Sequence, residues 1–272
     1  MQEKNIQVNH KNIFLRTSGT GPVVVLLHGF GEDGRVWKHQ YNSIPGFRFI
    51  VPDLPGSGRS EMVDDTSMEA MADLVKAIID REVGKDEKLV VIGHSMGGYI
   101  TLAFAEKYQE RLLGFGLFHS TAFADSDEKK MTRQKGIRFI EENGPESFLK
   151  TMIPNLYGPM TKPENAEKIQ YHLSLAHNFS GAALVSYYMS MMQRPDRTSV
   201  LRNAGLPVMI LMGRFDQAIP MEESLKLAYM ADISYIHMLD KSGHMGMVEE
   251  ESLTNDLLTN YLTRMLKTTQ PG

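Results

Sequence analysis

The segment "KLVVIGHSMGGYI" (residues 88–100) gives the first indication of how this chain folds. An apolar run ends abruptly in the sequence GHSMG (residues 93–97), and a second apolar segment begins at Tyr99. A strand, the pattern G-x-S-x-G and a helix are together typical of a tight turn that presents a nucleophilic serine. We therefore predict that Ser95 is a nucleophile at a helix N-terminus, where free N–H groups favour negative charge.

A glycine-rich turn between a strand and a helix can instead hold a phosphate group. A phosphate-binding loop of that kind has a lysine followed by serine or threonine, and "GHSMGGYI" has neither. A second glycine-rich loop, "DLPGSGRS" (residues 53–60), lacks the G-x-G-x-x-G pattern of dinucleotide-binding proteins. We interpret the first turn as a nucleophile turn and the second as a structural loop.

Apolar runs and helical patterns alternate along the chain. The runs "PVVVLL" (residues 22–27) and "LPVMILM" (residues 206–212) have the composition of parallel strands covered on both faces. Two short alternating stretches on either side of residues 9–12 predict an antiparallel hairpin at a sheet edge. The chain is therefore predicted to form an α/β fold with a mostly parallel sheet and helices on both faces. The last pattern, residues 247–266, predicts a single C-terminal helix.

One connection between predicted strands, from Ser120 to Pro207, is unusually long. A parallel crossover needs only roughly a dozen residues. Four helical patterns separated by turn residues fill this connection. We predict a helical cap at residues 122–200, inserted into a core that consists of residues 1–121 and 201–272.

A nucleophilic serine needs a base, and the base needs a third group to orient it. In serine hydrolases with this turn, the chain order is serine, acid, histidine. Asp216 follows the predicted strand "LPVMILM", and His244 follows the next predicted strand, "ISYIHML" (residues 233–239). Both are therefore expected at the carboxyl edge of the sheet beside Ser95. Alternatively, His244 is a surface-loop histidine and Asp216 an acidic residue at a helix start. Asp125 and Asp240 are rival acids, although Asp240 is very close to His244 along the chain.

Two backbone amides are candidates for the oxyanion hole. The N–H of Met96 directly follows the nucleophile, and the N–H of Phe30 lies in the loop after the "PVVVLL" strand. Such donors must lie about 3 Å from the developing charge, which is a geometric test. In the same loop, we interpret His28 as a buried histidine bonded to nearby backbone.

The composition excludes several kinds of partner and cofactor. The net charge is −4 and no Lys/Arg-rich run occurs, so neither nucleic acid nor an anionic membrane is a predicted partner. The chain has no cysteine, which excludes disulfides, thiolate catalysis and cysteine-bound metals. The other histidines form no H-x-H or H-E-x-x-H pattern, and we predict neither a metal nor a cofactor.

The N-terminal sequence "MQEKNIQVNHKNIFLRTSG" has no apolar core of a signal peptide. No segment has the apolar length that crosses a bilayer. These features predict a cytoplasmic protein without a membrane span. The sequence predicts no particular oligomeric state.

Five segments together resemble the α/β-hydrolase superfamily. In chain order they are "HGFGEDG", "DLPGSGRS", "GHSMGG", "GRFDQAIP" and "SGHMGMVEE", and the resemblance extends from about Asn5 to about Leu266. It implies a doubly wound, mostly parallel eight-stranded sheet with a lid inserted after the sixth strand. It also implies that Ser95 is the nucleophile, Asp216 the acid and His244 the base, with Phe30 and Met96 as oxyanion donors.

The residue in the nucleophile turn narrows the activity. Haloalkane dehalogenases and epoxide hydrolases of this superfamily have aspartate where this chain has Ser95. We predict a serine hydrolase, and specifically a carboxylesterase that takes a small or medium acyl ester. Perhydrolases, lactonases and carbon–carbon bond hydrolases remain alternatives, although the last group usually has an aromatic residue where this chain has Met245. A different possibility is a non-catalytic relative that binds a small molecule.

Apolar side chains of the predicted cap are candidates for an acyl-binding pocket. The candidates are Phe148, Tyr187, Met189, Met191 and Met192, together with Met245 after the predicted base. Methionine also fills irregular gaps between helices, so packing within the cap is the alternative interpretation.

Overall fold

An eight-stranded sheet forms the centre of the molecule. The computed structural model describes residues 1–161, 166–176 and 179–267. The strands are β1 (Gln2–Val8), β2 (Lys11–Ser18), β3 (Val23–Leu27), β4 (Arg48–Pro52), β5 (Leu89–His94), β6 (Leu112–Phe118), β7 (Val208–Gly213) and β8 (Ser234–Leu239). Their order across the sheet is β1-β2-β4-β3-β5-β6-β7-β8.

The pairing of the strands confirms the predicted fold class. Strand β1 pairs antiparallel with β2, and β2 pairs antiparallel with β4. All other neighbours are parallel. Strands β3 and β5 are buried at every position, as expected of central strands with helices on both sides. Because β3, β5, β6, β7 and β8 are parallel, their carboxyl ends lie along one edge of the sheet.

Helices connect the strands in a doubly wound α/β arrangement. They are α1 (Lys38–Ser43), α2 (Met68–Glu82), α3 (Met96–Lys107), α4 (Asp127–Asn143), α5 (Pro145–Met152), α6 (Ala166–Leu175), α7 (Gly181–Gln193), α8 (Thr198–Arg202), α9 (Met221–Leu227), α10 (Gly246–Glu249) and α11 (Glu251–Lys267). Short 3-10 segments cover Gly34–Trp37, Gln109–Arg111 and Ile153–Leu156. Within the described residues, none of the helices is long and apolar enough to span a bilayer.

Local backbone and side-chain contacts show how helix α2 begins and where the C-terminal helical segment is interrupted. Helix α2 begins after Ser67, whose hydroxyl accepts a hydrogen bond from the N–H of Ala70 and so satisfies a free helix donor. The single C-terminal helix predicted at residues 247–266 is wrong in one detail. Glu250 adopts φ −119° and ψ 57°, outside the helical region, and separates the short helix α10 from α11.

Helices α4 to α7 are inserted between β6 and β7, as the sequence predicts. Three of the four predicted helices lie in the described part of the chain. The remaining one, predicted from Glu164 to Asn178, extends partly outside it. The two ends of the insertion meet where the N–H of Arg197 donates to the carbonyl of Ala122, over 2.7 Å. Helix α8 crosses the predicted boundary between residues 200 and 201 and packs against α3. The division into a cap and a core stays a prediction.

Candidate active site

The backbone at Ser95 has the strained geometry of a nucleophile turn. Its φ of 50° and ψ of −115° are unusual for a residue with a side chain. A Cβ atom at Gly93 would lie 2.1 Å from the carbonyl carbon of Gly97, and one at Gly97 would lie 2.5 Å from the carbonyl oxygen of Leu27. Both glycines therefore leave room that any larger residue would fill, in agreement with the sequence interpretation.

Two hydrogen bonds hold this turn against β6. The N–H of Ser95 donates to the carbonyl of Phe118 over 2.9 Å. The hydroxyl of Ser120 donates to the carbonyl of Ser95 over 2.8 Å. No sequence pattern indicates this role for Ser120, because the contact joins two loops that are distant in the chain.

Asp216 and His244 come together as the chain order predicts. The Nδ1 atom of His244 lies 2.8 Å from Oδ2 of Asp216, and both side chains are buried. The other carboxylate oxygen, Oδ1, accepts hydrogen bonds from the N–H groups of Ala218 and Ile219, each at 2.9 Å. Because Nδ1 of His244 donates to the carboxylate, Nε2 is left as the ring nitrogen that can accept a proton.

The two rival acids lie elsewhere. Asp240 is exposed and pairs with Arg214. Asp125 is buried in ion pairs with Arg133 and Arg194. Neither makes a hydrogen bond to His244 within the described residues, so Asp216 is the acid that the geometry supports.

A second histidine, which the sequence did not indicate, contacts the same carboxylate. Nδ1 of His119 lies 3.2 Å from Oδ2 of Asp216. The N–H of Gly246 donates to Nε2 of His119 over 3.3 Å, so the proton of this ring is on Nδ1 and points to Asp216. His119 directly follows β6 at the same sheet edge, and that position is the only sequence signal that could have suggested it.

The facing nitrogen and oxygen atoms of His119, Asp216 and His244 lie within 4.8 Å of one another, which is a spacing seen in metal sites. These atoms are already engaged in hydrogen bonds with one another, since Nδ1 of each histidine ring faces Oδ2 of Asp216. The N–H that donates to Nε2 of His119 places a proton on Nδ1, so this ring lacks a lone pair toward the group. The arrangement fits a hydrogen-bonded triad with an additional donor.

Burial and charge shift the pKa values of these three groups in different directions. Burial raises the pKa of Asp216, but the charges of the two histidines and their hydrogen bonds outweigh it and hold the pKa well below its usual range. Burial lowers the pKa of His119 to about 4, although Asp216 acts in the opposite direction. Burial also lowers the pKa of His244, but the Asp216 carboxylate outweighs it, and the pKa lies above its usual value. His119 is therefore a neutral donor, and His244 is the ring that takes up a proton.

The candidate oxyanion donors lie at the carboxyl edge of the sheet, where the chain leaves β3 and β5. Met96 is the first residue of α3, so its N–H has no acceptor within the helix. The N–H of Phe30 donates to no acceptor among the described residues. In the same loop, Nε2 of His28 accepts from the N–H of Leu54 and Nδ1 contacts the carbonyl of Gly29, each at 2.8 Å. His28 therefore has the structural role that the sequence interpretation gives it.

A buried contact between a histidine and a carboxylate supports the loop that carries His244. Nδ1 of His94 lies 2.9 Å from Oε2 of Glu32, which also accepts from the N–H of Gly29 at 2.7 Å. Nε2 of His94 donates to the carbonyl of His244 over 2.9 Å. Burial raises the pKa of Glu32, but the charge and hydrogen bond of His94 outweigh it and lower the pKa to about 2. His94, which lies between Gly93 and Ser95, thus links the nucleophile turn to the loop that carries His244.

Glu249 fixes the same loop from the other side. Its Oε1 accepts from the N–H groups of Gly243 and Met245, at 2.8 and 3.2 Å. Its Oε2 accepts from the N–H of Gly158 and the hydroxyl of Thr161, at 2.8 and 2.6 Å. One carboxylate therefore connects both neighbours of His244 to the inserted segment.

Ser95 and His244 open into one cavity of about 450 Å³, a volume within the range of small-molecule sites. Phe30 contributes from the core, and side chains of α4, α5 and α7 contribute from the insertion. The described residues show no hydrogen bond between the Ser95 hydroxyl and the His244 ring. Such contacts are often long before substrate binds.

The cavity corrects most of the predicted acyl pocket. Met191 is part of its wall, but the other five candidates are not among the described residues that line it.

Tyr187 is fully buried, and its hydroxyl contacts Ser57 and the carbonyl of Pro55. Met189 is 44% exposed, and Met245 lines a second cavity of about 470 Å³. Phe148 packs edge-on against Phe30, and Met192 is half-buried. The side chain of Tyr188, next to the predicted Tyr187, does line the cavity.

Comparisons with known proteins agree with this fold. A family model described as the alpha/beta hydrolase fold matches residues 22–139. The structure of a thermophilic esterase from Thermogutta terrifontis, with malate bound, superposes with a TM-score of 0.89 and is 30% identical, covering 97% of this chain and 99% of that one.

Two further matches are more distant. A 2-hydroxy-6-oxononadienedioate/2-hydroxy-6-oxononatrienedioate hydrolase from Paraburkholderia phymatum is 26% identical over 88% of this chain and 86% of that protein. The structure of an enol-lactonase from Burkholderia xenovorans LB400 superposes with a TM-score of 0.87 at 20% identity, over 96% of this chain and 100% of that one. At this identity the lactonase shows a shared fold.

Proposed function

The chain belongs to the α/β-hydrolase family, and on this basis we propose that it is a serine hydrolase that cleaves carboxylic esters. The observation that carries the proposal is the arrangement around one cavity. Ser95, in a strained turn, shares this cavity with His244, whose ring is oriented by Asp216. The 30% identity to an esterase over nearly the whole chain supports the ester bond as the target.

In the first half of the proposed reaction, Oγ of Ser95 attacks the ester carbonyl carbon and its proton moves to Nε2 of His244. The carbonyl oxygen becomes an oxyanion that the N–H groups of Phe30 and Met96 stabilise. The carbon–oxygen bond to the alcohol then breaks, and the leaving alcohol takes the proton from His244. The product of this half is an acyl group on Ser95.

In the second half, water attacks the acyl carbonyl and gives a proton to His244. The bond to Oγ breaks, Ser95 regains its proton and the free acid is released. Asp216 holds the ring in the tautomer that both halves need and stabilises the charged ring between them. The raised pKa of His244 is the expected consequence of that carboxylate.

The test is hydrolysis of p-nitrophenyl esters with acyl chains from C2 to C12, by the wild type and by Ser95→Ala. Ser147→Ala removes a hydroxyl from an exposed position of α5 and serves as the control. We expect turnover by the wild type and the control, and a loss of about 10⁶-fold in kcat for Ser95→Ala. Full activity of Ser95→Ala would refute the role of this residue.

A carbon–carbon bond hydrolase or lactonase is the second candidate, because curated relatives of similar length are named hydrolases of 2-hydroxy-6-oxo dienedioates. The same serine, histidine and aspartate would serve that chemistry. Labelling of Ser95 by a fluorophosphonate without turnover of any p-nitrophenyl ester would favour this candidate. Ring-cleavage products and lactones would then be the substrates to compare.

A further inference from the structure

We propose that the cavity beside Ser95 contains a carboxylate-binding site formed by Arg133, Tyr99 and Tyr188, so that the natural substrate is an ester that also has a carboxylate. The part of this proposal that makes the substrate an ester, its catalytic half, rests on the proposed ester hydrolysis. Its binding half is independent of any reaction, because it concerns how these three side chains hold an anion.

The first observation is an unbalanced buried charge. Asp125, which is fully buried, pairs with Nε of Arg133 at 2.5 Å and with Nη1 of Arg194 at 2.8 Å. Two guanidinium groups therefore share one carboxylate, and the group as a whole has one positive charge. Arg194 is 3% exposed at its side chain, whereas Arg133 is 17% exposed and lines the cavity. The surplus positive charge is thus available to the cavity at Arg133.

The hydrogen bonds of Arg133 leave part of its guanidinium open. Nε and Nη2 face the two oxygens of Asp125, at 2.5 and 3.2 Å. Within the described residues, Nη1 donates to no acceptor. A guanidinium has five N–H donors in a plane, so this edge can still bind a second anion.

The second observation is a pair of tyrosines whose hydroxyls make no hydrogen bond. Tyr99 and Tyr188 are 3% and 9% exposed, and both line the cavity. Neither hydroxyl makes a hydrogen bond to any of the described residues, and neither oxygen is among the fully buried atoms without a partner, so both are accessible to a ligand. Burial raises the pKa of Tyr188 to about 12, so its hydroxyl is a donor at neutral pH.

The tyrosines and arginines are packed against one another. Cζ of Arg133 lies 5.5 Å from the ring centre of Tyr188, and Cζ of Arg194 lies 3.8 Å from that of Tyr99. Tyr188 in turn stacks on Phe30, with ring centres 4.2 Å apart. The site therefore combines residues of α3, α4 and α7 directly beside the loop of the candidate oxyanion donor.

Two acidic groups also line the cavity, and neither pairs with Arg133 among the described residues. Glu32 is bonded to His94 and to the N–H of Gly29. Glu128 is exposed, and its neighbour Lys129 pairs with Glu223 at 3.0 Å. Arg133 is the cavity-lining cation whose carboxylate partner is shared with another arginine. A planar carboxylate fits a guanidinium edge flanked by hydroxyl donors.

Calorimetric titration with adipate, compared with neutral 1,6-hexanediol of the same chain length, tests the binding half. The variants are Arg133→Gln, and Arg138→Gln as a control that removes the same charge from an exposed position of the same helix. Asp125 keeps Arg194 as its partner in Arg133→Gln, and circular dichroism checks the fold. We expect at least about tenfold weaker adipate binding by Arg133→Gln, no change for Arg138→Gln, and no effect on the diol.

Two matched pairs of esters then locate the carboxylate in the substrate. The mono-p-nitrophenyl ester of adipate against p-nitrophenyl hexanoate tests a carboxylate on the acyl side. O-butyrylglycolate against ethyl butyrate tests one on the alcohol side. The wild type is expected to prefer one anionic ester by about tenfold or more in kcat/KM, and Arg133→Gln is expected to hydrolyse the anionic and the neutral ester of that pair with similar kcat/KM.

The outcomes separate the two proposals. Adipate binding that is equal in the wild type and Arg133→Gln, or no adipate binding at all, overturns the carboxylate site even if esters are hydrolysed. Arg133-dependent binding of adipate without turnover of any ester retains the site and rejects the ester hydrolysis. Tyr188→Phe, measured in the same assays, is expected to weaken the preference, and an unchanged preference would remove this hydroxyl from the site.

Discussion

His119 donates a hydrogen bond from Nδ1 to Oδ2 of Asp216 over 3.2 Å, at the same oxygen that faces His244. The carboxylate therefore has two histidine donors, and backbone N–H groups occupy its other oxygen. Because burial lowers the pKa of His119, this ring stays neutral and fixes Asp216 without competing for the proton that His244 takes up. His119 is thus a positioning residue of the candidate triad.

The buried neutral His119 makes the stability of the protein depend on pH. Its pKa is about 4 in the folded protein, below the unfolded value of about 6.5, so between these limits the unfolded chain binds the proton more readily. The free energy of unfolding is therefore expected to fall as the pH decreases from about 6.5 to about 4, by about 3 kcal/mol from this group. Urea unfolding of the wild type at a series of pH values measures the slope.

Two variants separate the titration of His119 from its hydrogen bond. His119→Leu removes both, so we expect a shallower pH slope and about 2 kcal/mol lower stability at pH 8. His119→Gln removes the titration but keeps a donor, so the slope becomes shallow while part of the stability at pH 8 returns. An unchanged slope in both variants would assign the pH dependence to another buried group, such as His172, whose pKa is also lowered by burial.

The activity is expected to rise with pH, because His244 must be neutral to accept the serine proton. The Asp216 carboxylate raises the pKa of His244, so the midpoint of the acidic limb of kcat/KM should lie above about 6.5. Asp216→Asn should move this limb to lower pH and reduce kcat by about 10³ to 10⁴-fold. The matched control is Asp240→Asn, which changes the exposed rival acid. A rate loss in the control equal to that of Asp216→Asn would contradict the assignment.

The nucleophile turn should not tolerate a methyl group at residue 93. In Gly93→Ala the new Cβ would lie 2.1 Å from a backbone carbon, and neither side of this contact can move without opening the turn. We expect destabilisation of about 3 kcal/mol or more and loss of fluorophosphonate labelling at Ser95. Gly84→Ala is the control, since a Cβ there meets nothing within 4 Å. Thermal unfolding and labelling of both variants measure the difference, and wild-type labelling of Gly93→Ala would exclude this packing argument.

Glu249 should control how firmly the His244 loop is held. In Glu249→Gln one carboxylate oxygen becomes an NH₂ group that faces N–H or hydroxyl donors, so at least one donor is left unsatisfied. We expect a loss of about 2 kcal/mol in stability and a decrease in kcat/KM. Glu222→Gln makes the same change at an exposed position of α9. If activity and urea midpoint are the same in both variants, the carboxylate does not position the loop.

Local patterns in the sequence determined the elements and their order. The apolar runs became β3 to β7 because buried strands need continuous apolar residues, and the glycines around Ser95 could only serve a turn with no space for side chains. The order of Ser95, Asp216 and His244 also followed from the sequence, since parallel strands bring their carboxyl ends to one edge. These features depend on neighbours in the chain or on the direction of strands.

Only the tertiary structure decided which side chains surround the triad. The sequence predicted Tyr187, Met189 and Met191 in the pocket. Met191 does line it, but the rotation of α7 places Tyr188 there in place of Tyr187, because residues one apart on a helix point in directions about 100° apart. The bonds of His119 to Asp216 and of His94 to the carbonyl of His244 join residues 97 and 150 positions apart. No local pattern encodes such contacts, since they depend on how separate loops meet at the sheet edge.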